Sequence, residues 1–138
     1  MDSKETSKSK VGKNSNFLSS LRHALDGIVT IFKEERNMRY HVLFGLLPLG
    51  LAVFFRVSGV EWILLIFCIF FVILMEFLNT IFETIVDLIV DKNYHILAKR
   101  AKDIAAGSVL VTAIFTVIVA SIIFLPKFWK LYQEMFNG

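Results

Sequence analysis

The chain begins with a polar segment, continues with apolar residues at helical spacing, and then contains long apolar runs. Residues 1–16 are rich in Lys and Ser without hydrophobic periodicity, which predicts a disordered basic tail. From Phe17 to Phe32, apolar side chains follow the spacing i, i+3, i+4, i+7, which predicts an amphipathic helix over residues 17–36. Its other face carries charged residues, so we expect this helix to lie along a membrane surface.

Three apolar segments predict membrane-spanning helices, over about residues 37–56, 60–90 and 104–126. A span needs ~20 mostly apolar residues to cross ~30 Å of hydrocarbon. The first segment reaches that length only when the polar residues at its ends are included. Ser58 is expected to cap the second helix, and Pro126 is expected to end the third. A polar connection is expected between them, over residues 91–102.

The amino-acid composition also indicates that the protein lies in a membrane. The chain has 138 residues, which suits one domain, and 56% of them are apolar. A soluble domain of this size does not bury so much apolar surface. We therefore expect an all-α integral membrane protein, with one domain over residues 17–130 and a short tail over residues 131–138. The single cysteine, Cys68, excludes disulfide frameworks and zinc sites within one chain.

The distribution of Lys and Arg predicts the orientation in the membrane. In the three-span arrangement most basic residues lie on one side, and only Arg56, Lys127 and Lys130 lie on the other. Because cytoplasmic loops carry the excess of positive charge, the N-terminal tail, the surface helix and the connection over residues 91–102 are expected in the cytoplasm.

A polar stripe follows the apolar first half of the second span. Glu76, Asn79, Glu83 and Asp87 fall within roughly 80° of one helical face at 3.6 residues per turn. Ionisable groups at membrane depth face a protein interior or a water-filled cavity, and they mark a functional site by default. The stripe therefore predicts a site that binds a divalent cation and supplies a general base near the bilayer.

Two further polar clusters are expected at the same cytoplasmic interface, over residues 34–41 and 99–103. Carboxylates such as Glu35 and Glu83 suit Mg²⁺, whose other ligands are usually waters and substrate phosphates. Lys102 and Arg100 provide positive charge for a polyphosphate, and Glu76 is placed to accept a proton from a lipid hydroxyl. These parts suit phosphoryl transfer. The sequence has neither a GxxxxGK[ST] loop nor a glycine-rich kinase loop.

Four spaced motifs occur in order over nearly the whole chain after the tail. They are Glu35-Arg36-Asn37-x-Arg39-x-His41, Glu61-Trp62, Glu76-x-x-Asn79-Thr80-x-x-Glu83-x-x-x-Asp87-Leu88 and Ala101-Lys102-Asp103-x-Ala105-Ala106-Gly107. In these motifs the chain resembles the prokaryotic diacylglycerol kinase family, and most of all its Gram-positive branch, whose members act chiefly as undecaprenol kinases. The resemblance implies a multi-pass protein of the bacterial cell membrane. It also implies a homotrimer, with active sites between neighbouring subunits.

The resemblance also implies roles for individual residues. Glu76 would be the general base on the lipid hydroxyl, and Asn79 would orient the reacting groups. Glu35 and Glu83 would bind the Mg²⁺ that bridges the phosphates of ATP, with Glu34 as the alternative ligand one residue away. The expected nucleotide contacts are Lys102, Asp103, Asp87, Tyr94 and His95. Arg39 and Arg100 are further polar candidates for the site.

Several functions stay open at this stage. The residue pattern does not separate undecaprenol from diacylglycerol as the acceptor, and we favour undecaprenol on the resemblance to the Gram-positive branch. An ion or proton transport component is a second hypothesis, in which Glu76, Glu83 and Asp87 form a relay. A transferase using a CDP-activated donor is a third, although the dense Asp motif expected for it is absent. No nucleic acid partner is expected.

Overall fold

A computed structural model describes residues 17–136 of the chain. The basic tail expected over residues 1–16 lies outside this range, as do residues 137–138. Regular structure within the described range consists of four helices: α1 (Phe17–Glu34), α2 (Arg36–Phe54), α3 (Gly59–Val90) and α4 (Ile96–Phe136). The all-α prediction is therefore confirmed.

The chain divides into two units, which meet between Thr30 and Ile31 within α1. The first unit contributes the beginning of the predicted surface helix. Its apolar side chains, among them Phe17, Leu18 and Leu25, are exposed to solvent. The position of this helix on a membrane surface stays a prediction.

The second unit contains the membrane helices. α2, α3 and α4 are long and apolar enough to cross a membrane, which confirms the three predicted spans. α3 has 32 residues and α4 has 41. At 1.5 Å per residue they are roughly 48 and 62 Å long, so both exceed ~30 Å of hydrocarbon.

Helix α4 is longer than the sequence predicts at both ends. It begins at Ile96, so the polar connection is shorter than the expected 91–102. The residues that follow Ile96 are mostly good helix formers, and Lys99 pairs with Asp103 one turn later. The helix also continues through Pro126 to Phe136, so it does not end where we expected. A proline removes only one N–H donor, and packing on neighbouring helices compensates for this in membrane proteins.

The junction of α1 and α2 is a sharp turn at one residue. Glu35 has an extended backbone and is the N-cap of α2, so α1 ends at Glu34 rather than at residue 36. Arg39 donates from Nη1 to the carbonyl oxygens of Phe32 and Lys33, at 2.9 Å each. Since the last carbonyls of a helix lack intrahelical donors, this guanidinium caps the end of α1.

Helix α3 packs against both α2 and α4, and three contacts fix its antiparallel register with α4. Asp87 pairs with Lys102 near one end, and Glu61 pairs with Lys127 at 2.8 Å near the other. Between them, the Thr116 hydroxyl lies 3.4 Å from the carbonyl oxygen of Cys68. The second half of α3, which carries the stripe, therefore lies alongside the first half of α4.

The end of α3 near Glu61 is closed by a helix cap and a small apolar core. Ser58 accepts from the Glu61 backbone N–H, and the Glu61 carboxylate accepts from the Ser58 N–H at 2.7 Å. This reciprocal capping box confirms the predicted cap. The adjacent buried core consists of Ala52, Val57, Leu65, Ile123 and Phe124. It holds the three membrane helices together at the end opposite the polar stripe.

Candidate active site

Glu76 and Asn79 are buried on one face of α3, although both are polar. Glu76 is 2% exposed and Asn79 is 7% exposed. Their spacing of three residues places them on the same side of the helix. These two residues therefore face the protein interior, as the sequence predicts for the stripe. Glu83 and Asp87, further along the stripe, are half-buried.

Two oxygen atoms of this buried pair have no hydrogen-bond partner. They are Oε1 of Glu76 and Oδ1 of Asn79. An unsatisfied buried polar atom is costly, and native proteins contain few of them. Two such atoms one turn apart leave hydrogen-bonding capacity that a bound hydroxyl or cation would satisfy.

His41 brings a third polar side chain to the same place from α2. Its Nε2 atom lies 3.8 Å from Oε2 of Glu76. This distance is longer than a hydrogen bond, and a small side-chain movement or a bridging hydroxyl would close it. The sequence predicts His41 only as part of a motif, not as a site residue. The sequence feature that could have identified His41 as a site residue is its position in that motif, six residues after Glu35.

A hydrogen bond along the stripe fixes the orientation of the Asn79 amide. Its Nδ2 atom donates to Oε1 of Glu83 at 3.2 Å. The amide oxygen is consequently left to interact with another group. Asn79 therefore contacts the carboxylate of Glu83, and it lies between Glu76 and Glu83 along the helix.

Lys102 joins the far end of the stripe to α4. Its Nζ atom donates to both carboxylate oxygens of Asp87, at 2.9 and 3.0 Å. The ammonium group also interacts electrostatically with Glu83. The structure thus brings together two of the predicted nucleotide contacts and one predicted metal ligand.

Glu35 approaches the stripe from the turn between α1 and α2. Glu76 interacts electrostatically with the carboxylates of both Glu35 and Glu83. Glu35 is half-buried, whereas Glu34 is exposed at the end of α1. Convergence of three negative charges is unfavourable unless a cation is nearby. Of the two candidate ligands in this turn, Glu35 is the better placed.

The carboxylates fit Mg²⁺ but do not form a complete metal cage. Among residues 17–136, no three His, Cys, Asp or Glu side chains are grouped so that they hold a metal ion. Mg²⁺ keeps several waters and is usually bound by one or two carboxylates together with substrate phosphates. Glu35 and Glu83 provide hard oxygen ligands of that kind, beside the unpartnered oxygens of Glu76 and Asn79.

The remaining predicted contacts lie around the turn between α3 and α4. Tyr94 and His95 are exposed there, and Nδ1 of His95 accepts from the Leu97 N–H at 3.2 Å. Both side chains line a cavity of about 580 Å³ between the ends of the two helices. Asp103 pairs with Lys99. Arg100 is exposed, and Arg39 caps α1 as described above.

Known proteins that are similar to this chain are named as lipid kinases. A family profile described as prokaryotic diacylglycerol kinase matches residues 22–124. A protein of Synechocystis named diacylglycerol kinase is 39% identical over 84% of this chain and 66% of its own length. A protein of Bacillus subtilis named undecaprenol kinase is 40% identical over 80% of this chain and 89% of its own length. The diacylglycerol kinase of Escherichia coli K12 is 33% identical over 67% of this chain and 75% of its own length.

The profile covers most of the chain, including the turn at Glu35, the whole stripe and the first half of α4. The relatives are named as kinases of lipid alcohols. A multi-pass membrane protein with a buried carboxylate on one span agrees with that chemistry. This chain is a membrane lipid kinase that belongs to the prokaryotic diacylglycerol kinase family.

Proposed function

We propose that this protein transfers the γ-phosphoryl group of ATP to the hydroxyl of undecaprenol, with Mg²⁺, at the cytoplasmic face of the bacterial cell membrane. The observation that supports this most is the buried carboxylate of Glu76, with one unpartnered oxygen, on a membrane-spanning helix. Undecaprenol is favoured over other lipid alcohols because the Bacillus subtilis relative of that name is similar over nearly its whole length.

Glu76 acts as the general base in this proposal. Its unpartnered oxygen accepts the proton of the lipid hydroxyl while the hydroxyl oxygen forms a bond to the γ-phosphorus. The bond from that phosphorus to the β–γ bridging oxygen breaks, and ADP leaves with the bonding electrons. The proton on Glu76 then passes to water when the product departs. Asn79, held by Glu83, orients its free amide oxygen towards the reacting groups.

Glu35 and Glu83 are the residues that would hold Mg²⁺. The bound ion would supply positive charge to the phosphate oxygens of ATP. The proposed division of labour assigns proton transfer to Glu76 and metal binding to the two carboxylates that interact with it. Glu34, which is exposed at the end of α1, is not needed for this role.

The nucleotide is proposed to bind between the far end of the stripe and the start of α4. Lys102, already paired with Asp87, provides positive charge for the phosphates. Asp103 and Arg100 lie on the same part of α4. Tyr94 and His95 line the cavity of about 580 Å³ beside it, and this cavity offers an apolar and aromatic surface for the base.

Orientation and assembly are part of the same proposal. Within residues 31–136, seven of the ten Lys and Arg residues lie at the end of the helices where Asp87 and Lys102 pair, so that end is proposed to be cytoplasmic. A homotrimer with active sites between neighbouring subunits is also part of the proposal, and it rests on the membership of the prokaryotic diacylglycerol kinase family. The large exposed apolar surface of α2, α3 and α4 leaves area for both lipid and neighbouring subunits.

Purified protein in mixed micelles tests the proposal, with undecaprenol and diacylglycerol offered separately in the presence of Mg²⁺ and ATP. We expect faster phosphorylation of undecaprenol. Diacylglycerol is the second candidate, because the Synechocystis relative at 39% identity is named for it. Preference for diacylglycerol would assign that acceptor instead. If a correctly assembled protein phosphorylates neither lipid, the proposed reaction is contradicted. The alternative of a proton relay along the stripe would then be favoured.

A further inference from the structure

Helix α2 packs against α3 through a face that includes two small residues. Met38, Gly45 and Ala52 are spaced seven residues apart, so they share one side of α2. Met38 and Ala52 are completely buried. His41 lies on the same side of the helix, one turn before Gly45. The small residues Gly45 and Ala52 leave room for a close approach of the two helices.

Two contacts relate this face of α2 to α3, and they lie near each other. Gly45 lies against the side chain of Ile69, and Nε2 of His41 lies 3.8 Å from Oε2 of Glu76. The first contact is one helical turn from the second along α2 and two turns from it along α3. The separation of the helices at Gly45 therefore affects the separation of His41 from Glu76.

The contact at Gly45 has no space for a larger residue. A methyl group on Gly45 would lie 3.1 Å from Cγ2 of Ile69, whereas carbon atoms in favourable contact lie about 3.5–4.0 Å apart. Ile69 does not turn away easily, because a β-branched side chain in a helix has one strongly preferred rotamer. An added methyl group would therefore push α2 away from α3 by roughly 0.5 Å.

We infer that Gly45 is a positioning residue, which lets α2 approach α3 closely enough for His41 to reach Glu76. The inference rests on the proposed function and adds a residue that acts through His41. The distance of 3.8 Å between His41 and Glu76 is already longer than a hydrogen bond. A further separation would weaken their interaction, and small displacements of groups around a reaction lower its rate.

Gly50 provides a matched control on the same helix. It is exposed, and a methyl group there would meet no atom within 4 Å. We expect Gly45→Ala to lower kcat roughly fivefold, with the KM for ATP and for the lipid alcohol within about twofold of wild type. Gly50→Ala should leave kcat within about twofold of wild type. The assay uses mixed micelles with undecaprenol or diacylglycerol, whichever is the better acceptor. Equal kcat values for the two variants would overturn the inference.

Ile69→Leu tests the same contact from α3. Leucine has the volume of isoleucine but carries one carbon on Cβ in place of two, so the atom nearest to Gly45 is removed. Adding Gly45→Ala to Ile69→Leu should therefore change kcat by less than about twofold. A double variant as slow as Gly45→Ala would overturn the inference. If Gly45→Ala alone does not fold, recovery of folded protein in the double variant supports the contact, and a double variant that also fails to fold overturns it.

A double-mutant cycle with His41→Leu separates positioning from a general structural effect. If Gly45 acts through His41, Gly45→Ala should lower kcat no further in the His41→Leu background. Equal losses in both backgrounds would overturn the inference. Gly45 and Ile69 also line an apolar cleft of about 580 Å³ between α2 and α4. A change confined to the KM for the lipid would show that Gly45 acts on this cleft instead, and would also overturn the inference.

Disulfide formation measures the approach of the helices without turnover. His41→Cys and Glu76→Cys are combined with Cys68→Ser, so that only the two introduced thiols remain. We expect Gly45→Ala to slow formation of the intramolecular disulfide roughly fivefold and Gly50→Ala to leave it within about twofold, because a disulfide forms only over a narrow range of distances. Equal rates would exclude the inference. If the wild-type protein phosphorylates neither lipid, the proposed function fails, and the disulfide result decides separately whether Gly45 sets this approach.

Discussion

The ammonium group of Lys102 lies 2.9 and 3.0 Å from the two carboxylate oxygens of Asp87 and so joins the start of α4 to the end of the polar stripe. The pair is partly exposed, with 34% of the Lys102 side chain and 41% of the Asp87 side chain accessible. A pair of this kind contributes little to stability by itself. Because it also interacts electrostatically with Glu83, we propose that it provides positive charge for a phosphate group.

Lys102→Met is expected to raise the KM for ATP roughly 10- to 100-fold, because a charge-assisted contact to phosphate is lost. The thermal stability of the protein should change little. Lys130→Met is the matched control, since Lys130 pairs with Glu134 near the other end of α4. Steady-state kinetics at varied ATP checks this prediction. An unchanged KM for ATP would remove Lys102 from the nucleotide site.

Glu76→Gln is expected to lower kcat by roughly 10²- to 10⁴-fold while the affinity for Mg²⁺-ATP is retained. The amide keeps the size of the side chain but does not accept a proton. Glu83→Gln should weaken Mg²⁺-ATP binding as well, because this carboxylate is a proposed metal ligand and also accepts from Asn79. Nucleotide binding by calorimetry, together with turnover, separates the two roles. An equal loss of binding in both variants would contradict the division.

His41→Leu is expected to lower kcat roughly tenfold, because the polar partner 3.8 Å from Glu76 is removed while a side chain of similar bulk remains. His41→Gln should recover part of this loss, since its amide supplies a hydrogen-bond donor. The KM for ATP should be unchanged in both. If the Leu and Gln variants are equally slow, His41 contributes packing and not a polar contact to Glu76.

Ser58→Ala is expected to lower the free energy of unfolding by about 1 kcal/mol, because the capping box at the start of α3 is broken. Activity of the folded protein should persist, since Ser58 lies at the opposite end of α3 from Asp87. Ser121→Ala is the control, as the hydroxyl removed there bonds only within its own helix. Denaturation in mixed micelles measures the difference. Equal stability of the two variants would show that the cap is not significant.

Much of the fold follows from local sequence pattern. The periodicity of apolar residues predicts α1, and the length of the apolar runs predicts α2, α3 and α4 as membrane spans. The cap at Ser58 is equally local, because its partner Glu61 lies three residues away. The stripe on α3 follows from helical geometry alone, and this is why Glu76 and Asn79 could be identified before the structure was known.

Other features were decided by contacts between helices that are distant in the chain. Helix α4 continues through Pro126, where local rules predict an end, because the residues around it pack against α3 and the turn after α2. His41 reaches Glu76 across 35 positions, and Lys102 reaches Asp87 across 15. Arg39 caps α1 instead of reaching the stripe, because the turn at Glu35 places it under the last carbonyls.

The sequence by itself thus determined which residues are helical, which helices cross the membrane and which polar side chains share a face. Those properties depend on neighbours within one or two helical turns. Only the tertiary structure decided which oxygens of Glu76 and Asn79 lack partners, which histidine stands beside them and where an apolar cleft opens. These properties depend on the register and distance between α2, α3 and α4, which no local pattern specifies.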